Sequence, residues 1–334
     1  MPVQDGGVAM NPNPKIAGMM MVRNEEWIVG LSLRAALMWC DCVIVLDHGS
    51  TDNTVEIVHE IGCEDENKGR VWLLKRYAGT WHEMAFRDEM LTAARAFAAT
   101  HAAIIDADEI LTANLVGEVR ELVADTGPND VLELPMIPAW RSLDHYRDDR
   151  SVWSRAQLST AVGMSDRLRY MTRGSEGYDF HNRIPAGALN GGGRLCHPMN
   201  GLAGGGVIHA QFANWPRLLW KHTLYKMIEV LRWPGRESVA AVNAKYEVAL
   251  DERGIALTEF PPEFLAEYRD RGWLDRVDLA DEPWQRREAM RLLDEHGRDR
   301  FGGLRLRGID ADETDTATAK ETAGVSRRLT DCTD

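Results

Sequence analysis

The sequence has few cysteines and no segment that would hold a protein in a membrane. Its 334 residues include five cysteines, which form no CxxC pair and no zinc-ligand spacing, and an odd number fits a reducing compartment. No apolar run approaches the ~20 residues needed to span a bilayer, and the N-terminus lacks the basic-then-apolar pattern of a signal peptide. We therefore expect a cytoplasmic protein without disulfides or a transmembrane segment.

The chain also has fewer basic than acidic residues. The chain has 39 Lys and Arg against 52 Asp and Glu, which gives a formal net charge of −13. Phosphate backbones select basic protein faces, so this balance argues against nucleic acid as a partner. A single nucleotide is a different case, because one metal ion and two or three local basic groups are enough to bind it. The length allows one large domain, alone or with a helical appendage.

The most informative segment is AAIIDADE, residues 102–109. The apolar, β-branched run predicts a buried strand with Asp106 and Asp108 at its carboxyl end, where open α/β sheets bind ligands. Carboxylate oxygens suit Mg²⁺ or Mn²⁺, and such an ion can neutralise the diphosphate of a leaving nucleotide. The pair alone fits a solvated strand-to-loop turn equally well.

Two earlier apolar runs, 16–22 and 42–46, also read as strands that end in polar residues. The first is followed by Arg23, Asn24 and Glu25. Asn24 has the side chain of an N-cap and predicts a helix over 25–39. The second run is followed by DHGSTDNT, residues 47–54, and then by a helical pattern.

In this order, the three strand ends resemble those of family 2 glycosyltransferases with the GT-A (nucleotide-diphospho-sugar transferase) fold. The resemblance implies an α/β fold with a mostly parallel sheet flanked by helices, followed here by a C-terminal helical extension. It also implies a nucleoside-diphosphate sugar donor, most often a uridine diphosphate sugar, a carbohydrate or small-molecule acceptor, and a divalent cation, Mn²⁺ or Mg²⁺.

The resemblance assigns roles to residues at matching positions. Asp47 would accept a hydrogen bond from the nucleobase, and His48 departs from the second aspartate that is usual there. Arg87 would reach the nucleotide or its phosphates. Asp106 would face the ribose or the metal, and Asp108 would bind the metal. The donor-binding turn after the first strand comprises Arg23, Asn24 and Glu25.

A weaker resemblance covers GVIHAQFANWPRLLWKHTLY, residues 206–225. It implies that His209 completes the metal shell, since imidazole is an acceptable ligand for Mn²⁺, and that Lys221 meets the diphosphate. A histidine buried in the core is the competing interpretation of His209.

The base that deprotonates the acceptor is the least defined residue. Inverting transfer needs a carboxylate or histidine on the side of the anomeric carbon opposite the leaving phosphate. We prefer Asp179, with Glu176 and His181 behind it. Asp144 and Asp166 stay open.

The sequence predicts four regions. They are a flexible N-terminal arm (1–14), a GT-A catalytic domain (15–213), a C-terminal helical region (214–307) and a disordered tail (308–334). The glycine-rich segment 187–206 predicts a mobile loop, either a lid over the donor or a plain surface loop. Trp140, Trp153 and Tyr178 are candidates to stack on an acceptor sugar, although aromatic residues are more often part of the core.

Three functions compete. The first is a metal-dependent inverting glycosyltransferase. Its acceptor is either soluble, such as a small specialised metabolite, which we rank first, or a lipid-linked precursor of a surface glycan. A phosphatase of the haloacid dehalogenase type would need Thr or Val where Ile110 stands, and its motif normally lies on the first strand. A non-catalytic module that binds nucleotide sugars or glycans would be expected to lose metal ligands, yet Asp106 and Asp108 are both present.

Overall fold

The computed structural model describes residues 13–76, 82–149, 151–170, 183–199, 201–280 and 282–309. The chain divides into two compact units, and each is described by itself. Unit 1 comprises residues 1–213 and 254–281, and unit 2 comprises 214–253 and 282–334. The segment 254–281, which falls within the predicted helical region, thus belongs to unit 1.

Unit 1 alternates strands and helices along its first 124 residues, as the apolar runs predict. Its strands are β1 Ile16–Val22, β2 Cys42–Asp47, β3 Val71–Lys75, β4 His101–Asp106, β5 Glu109–Leu111, β6 Val131–Pro138, β7 His145–Arg147, β8 Gln157–Gly163, β9 Leu195–Cys196, β10 Val207–His209 and β11 Leu257–Glu259. Its helices are α1 Val29–Leu37, α2 Thr54–Cys63, α3 Glu83–Ala96, α4 Val119–Ala124 and α7 Pro262–Asp270.

Within the described residues, nine of these strands form one sheet. Its order is β3-β2-β1-β4-β8-β6-β10-β5, and β9 pairs with β6. The first four strands are parallel, whereas β8 runs antiparallel to β4 and β6, and β5 runs antiparallel to β10. The predicted α/β architecture, a mostly parallel sheet with helices, is confirmed.

Both faces of the sheet are covered at β1, which explains why this strand is apolar throughout. Alternate residues of β1 point to opposite sides, so Met20 packs in the cluster that includes α1, α2 and α4, and Met19 in the cluster that includes α3. All seven residues of β1 are buried. On β5, the carbonyl oxygen of Leu111 accepts a hydrogen bond of 2.6 Å from the Tyr268 hydroxyl of α7.

Unit 2 contains three helices in its described residues: α5 Trp215–Arg232, α6 Val239–Glu247 and α8 Trp284–His296. These helices form the predicted C-terminal helical extension. Asn214 caps α5 by accepting from the backbone N–H of Arg217 at 3.1 Å. None of the helices that the structure describes, in either unit, is long and apolar enough to cross a membrane.

Close packing explains part of the glycine-rich segment 187–206. A Cβ atom on Gly193 would lie 2.0 Å from the carbonyl oxygen of Asn129, and one on Gly206 would lie 2.2 Å from that of Pro135. The segment also contains the short strand β9, although no regular element is predicted there. At these two positions glycine is required because another part of the backbone approaches too closely for a side chain. The lid over the donor stays a prediction.

Candidate active site

The polar strand ends predicted from the sequence come together at one edge of the parallel part of the sheet. Strand β1 lies between β2 and β4, with Val22 beside Asp47 and Met21 beside Asp106. Asp47 and Asp106 are therefore two strand spacings apart, about 10 Å between Cα atoms. This is the carboxyl edge of the strands, where α/β sheets bind ligands.

The loops after β1 and β2 are joined by hydrogen bonds. Asn24 donates its backbone N–H to the Ser50 hydroxyl at 2.8 Å, and its side-chain oxygen accepts from the N–H of Thr51 at 2.6 Å. Glu25 donates its N–H to the Thr54 hydroxyl at 2.7 Å. The two loops therefore form one surface at the edge of the sheet.

Asn24 is not the helix N-cap that the sequence predicts. Helix α1 begins at Val29, its N-cap position is Ile28, and no side chain caps it. Asn24 instead has a positive φ of 52°, in the left-handed region that asparagine tolerates better than most residues. Its side chain binds the loop after β2, so it cannot also cap α1.

Asp47 is buried and binds its own loop. Its carboxylate accepts the backbone N–H of Gly49 at 3.2 Å and that of Ser50 at 3.1 Å. His48 packs its ring against Phe86 of α3, with the ring centroids 4.9 Å apart. Asp47 thus shapes the loop that the resemblance assigns to the nucleobase.

Asp106 lies between two arginines. Its Oδ1 accepts from Arg87 Nη2 at 3.0 Å, and its Oδ2 accepts from Arg183 Nη1 at 3.0 Å. Arg87, on α3, is almost fully buried and also pairs with Glu83 at 2.9 Å. Burial opposes the charge of Arg87, but Asp106 and Glu83 outweigh it and raise its pKa above the ordinary value.

Arg183 and Glu109 are the site residues that sequence reasoning missed. Arg183 Nη1 donates to Glu109 Oε1 at 2.7 Å, and Nη2 donates to Oε2 at 2.9 Å, so the pair is bidentate. Burial raises the pKa of Glu109, and Arg183 opposes that shift. Glu109 is the last residue of the AAIIDADE segment, so the sequence offered it as a candidate site residue. Nothing in the sequence marks Arg183.

Asp108, in the turn between β4 and β5, lies close to His209, the last residue of β10. His209 Nε2 lies 3.6 Å from Asp108 Oδ1, and their side chains are 14% and 12% exposed. The backbone N–H of Ala210 donates to the carbonyl oxygen of Asp108 at 2.7 Å. Within the described ranges, no group of three or more His, Cys, Asp and Glu side chains is arranged to hold a metal ion. Asp108 and His209 form a pair of such side chains and not a group of three.

An aromatic cluster extends from His209. The ring centroids of His209 and Phe212 are 5.5 Å apart, and Phe212 stacks on Trp140 at 5.5 Å. Trp153 meets Phe212 edge-on at 5.3 Å. Trp140 is buried, whereas Trp153 is partly exposed. Of the two, Trp153 is therefore the one with surface left for a ligand.

The remaining predicted residues lie outside the described residues or at other positions of the fold. Glu176, Tyr178, Asp179 and His181 lie outside the described residues. Asp166 follows β8, whose end Gly163 pairs with the first residue of β4, His101, so it lies at the opposite edge of the sheet from Asp106. Asp144 is exposed in the turn before β7. Arg23 directly follows β1 and is half-buried. Lys221 lies on α5 of unit 2, and its contact with a diphosphate stays a prediction.

Comparison with protein-family models finds no match to this chain, and neither does comparison with curated proteins. Solved structures do match. The mannosyltransferase PcManGT from Pyrobaculum calidifontis, determined with GDP-Man and Mn²⁺, is 15% identical over 96% of this chain and 83% of that chain, with a TM-score of 0.39. TarS from S. aureus is 13% identical over 87% of this chain and 83% of that chain, with a TM-score of 0.36.

A third structure covers less of both chains. Glucosyl-3-phosphoglycerate synthase from Mycobacterium tuberculosis, determined with Mn²⁺, UDP and phosphoglyceric acid, is 18% identical over 37% of this chain and 43% of that chain, with a TM-score of 0.28. This chain thus matches less than half the length of that synthase. At these identities and TM-scores, the three likenesses carry no argument about what the chain binds or does.

Proposed function

We propose that the chain is a metal-dependent, inverting glycosyltransferase of family 2 with the GT-A fold. It transfers a sugar from a nucleoside-diphosphate sugar, with uridine as the base, to a soluble acceptor such as a small specialised metabolite. Mn²⁺ or Mg²⁺ is the cofactor. The alternative acceptor is a lipid-linked precursor of a surface glycan.

One observation carries this proposal: the polar ends of β1, β2 and β4 form a single edge with joined loops. The resemblance rests on these strand ends, and the hydrogen bonds of Asn24 with Ser50 and Thr51 tie the first to the second. Asp106 ends β4 beside them. A buried carboxylate, two arginines and a carboxylate–histidine pair thus lie where a nucleotide can bind.

The donor set at Asp108 and His209 fits a divalent cation. A hard cation is commonly held by one or two protein side chains and by the phosphates of the substrate, so two protein ligands are sufficient. Their separation of 3.6 Å allows both to bind one ion. When bound, the ion supplies positive charge for the leaving diphosphate.

The other residues bind the donor or act on the acceptor. Asp47 fixes the loop that receives the base. Asp106, held from both sides by Arg87 and Arg183, presents a fixed carboxylate towards the ribose. Asp179, with Glu176 as the second candidate, takes the proton of the acceptor hydroxyl as the new glycosidic bond forms and the bond to the diphosphate breaks.

Release of nucleoside diphosphate tests the function directly. With a panel of UDP-, GDP-, TDP- and ADP-sugars and a mixture of acceptors, we expect release from a UDP-sugar with Mn²⁺ or Mg²⁺ and none with EDTA. Release that EDTA does not affect would contradict the metal site. Hydrolysis of phosphomonoesters without a donor sugar would favour the phosphatase. Donor binding without turnover would favour the non-catalytic module.

Replacement of Asp47 by alanine is expected to weaken UDP binding about tenfold, with a smaller effect on kcat. A base contact made equally in the ground and transition states acts as uniform binding. Asp47→Asn separates the two roles of this residue, because the amide oxygen still accepts from the loop N–H groups but carries no charge. Calorimetry with UDP measures both variants, and wild-type affinity in Asp47→Ala would show that another residue binds the base.

Replacement of Trp153 by alanine is expected to raise the KM for a carbohydrate acceptor roughly tenfold and to leave UDP affinity unchanged. A sugar that covers about 50 to 60 Å² of apolar ring surface gains roughly 1.4 kcal/mol, which is a factor of about ten in affinity. Trp153→Phe should retain most of the affinity. Trp140→Phe is the matched control, since that buried side chain should affect thermal stability and not the acceptor KM. An unchanged acceptor KM in Trp153→Ala would remove this residue from the site.

A further inference from the structure

Arg183 is bonded to three strands of the sheet. Its Nη1 donates to Asp106 and Glu109, at 3.0 and 2.7 Å. Its Nη2 donates to the carbonyl oxygen of Ile104 at 2.8 Å and to Glu109 at 2.9 Å. Its Nε donates to the carbonyl oxygen of Ser159 at 3.3 Å. One buried guanidinium therefore joins β4, β5 and β8, and only arginine has a planar fork of donors that can do this.

These bonds fix both ends of the turn that carries Asp108. At one end, Asp106 is held through its carboxylate by Arg183 and through its backbone N–H, which donates to Glu109 Oε2 at 2.9 Å. At the other end, Glu109 is held by the bidentate pair with Arg183. Asp108 lies between these two residues, so its position follows from theirs.

The same bonds also hold the residue that pairs with His209 of β10. Glu109 and His209 are direct partners in the antiparallel pairing of β5 and β10. Fixing Glu109 therefore fixes the point on β5 from which His209 is placed. Asp108 and His209, whose Oδ1 and Nε2 atoms are 3.6 Å apart, are thus both neighbours of Glu109, one along the chain and the other across the sheet.

We propose that Arg183 is a positioning residue for the metal site, which holds Asp108 and His209 at the separation that a divalent cation requires. The inference rests on the proposed function, because it presupposes that these two residues bind the cation. Partners behind metal ligands commonly contribute a factor of 10 to 100 in metal affinity. Arg183 would do so without touching the ion.

Charge alone predicts the opposite effect, which makes the inference testable. The cluster of Glu83, Arg87, Asp106, Glu109 and Arg183 has three negative and two positive groups. Removal of Arg183 makes it more negative and, by charge alone, strengthens cation binding. If Arg183 acts by holding Asp108 and His209 in place, its removal weakens cation binding despite the added negative charge.

The experiment compares Mn²⁺ affinity in the presence of UDP, by calorimetry, for the wild type and three variants. Arg183→Gln removes the charge and the fork, Arg183→Lys keeps the charge without the fork, and Glu109→Asp keeps the charge but shortens the partner. We expect each to raise the Kd for Mn²⁺ about 10- to 100-fold. Circular dichroism in EDTA restricts the comparison to folded variants, and Arg183→Lys and Glu109→Asp alter the fold least.

Arg120 offers the matched control. It also joins separate segments, since it donates to the carbonyl oxygens of Trp39 and Pro14, each at 2.7 Å, and pairs with Asp41. Arg120→Gln and Arg120→Lys should lower thermal stability and leave the Kd for Mn²⁺ unchanged.

Each outcome decides the inference. Wild-type Mn²⁺ affinity in the folded variants, or tighter binding in Arg183→Gln with no change in Arg183→Lys, would overturn it and leave the proposed function standing. If the wild type binds UDP but does not bind Mn²⁺ in its presence, the metal site and the inference are both wrong.

Discussion

Replacement of Asp108 by asparagine is expected to lower metal-dependent turnover by about 1,000-fold while the fold stays intact. The variant loses one anionic oxygen from a set that has two protein ligands, and an amide oxygen is a weaker ligand for a hard cation. The ion stabilises charge on the leaving group, which is worth several kcal/mol in the transition state, and each 1.36 kcal/mol is a factor of ten in rate.

Asp130→Asn is the matched control for this prediction. Asp130 is also a largely buried carboxylate of unit 1, but it pairs with Arg194 at 2.7 Å and lies outside the candidate site. Its loss should reduce stability and leave Mn²⁺ binding unchanged. Calorimetry with Mn²⁺ in the presence of UDP is the measurement. An unchanged Mn²⁺ affinity in Asp108→Asn would remove the metal from this site.

Replacement of Asp179 by asparagine is expected to lower kcat by about 10²- to 10⁴-fold, with UDP and Mn²⁺ affinities unchanged. General-base catalysis contributes a factor of this size, and an amide cannot accept the proton.

Glu176→Gln and His181→Asn serve as the comparison for Asp179→Asn. If Asp179 is the base, both should retain most of the wild-type kcat. In the wild type, the pH profile of kcat should fall on its acidic side as the base becomes protonated, and Asp179→Asn should lose that limb. A normal kcat in Asp179→Asn together with a large loss in Glu176→Gln would transfer the role to Glu176.

The sequence predicts the central part of unit 1 well because its buried strands are continuous apolar runs. The apolar run 42–46 becomes β2, Cys42–Asp47, and the strand predicted from 102 becomes β4, His101–Asp106. A strand buried on both faces is apolar throughout and ends at polar residues, so its limits can be located from the residues alone.

Where the prediction from sequence is wrong, a contact with a distant residue determines the conformation. Asn24 is a residue type that often caps helices, but here its side-chain oxygen accepts a hydrogen bond from the backbone N–H of Thr51, 27 residues away. Gly193 and Gly206 belong to a segment whose glycine content predicts a mobile loop. The carbonyl oxygens of Asn129 and Pro135 leave no space for a Cβ atom at these two positions. Local preferences are weak compared with a buried hydrogen bond or a backbone clash, so the tertiary contact prevails.

By itself the sequence determined which residues end the parallel strands, and with them the carboxylates Asp47, Asp106 and Asp108. Only the tertiary structure decided which groups those carboxylates face. Asp106 meets Arg183 across 77 residues of chain, and Glu109 meets the same arginine across 74. A buried arginine and an exposed one have the same letter in a sequence, and burial of a charge is tolerated only where its partners converge, which depends on the packing of strands far apart in the chain.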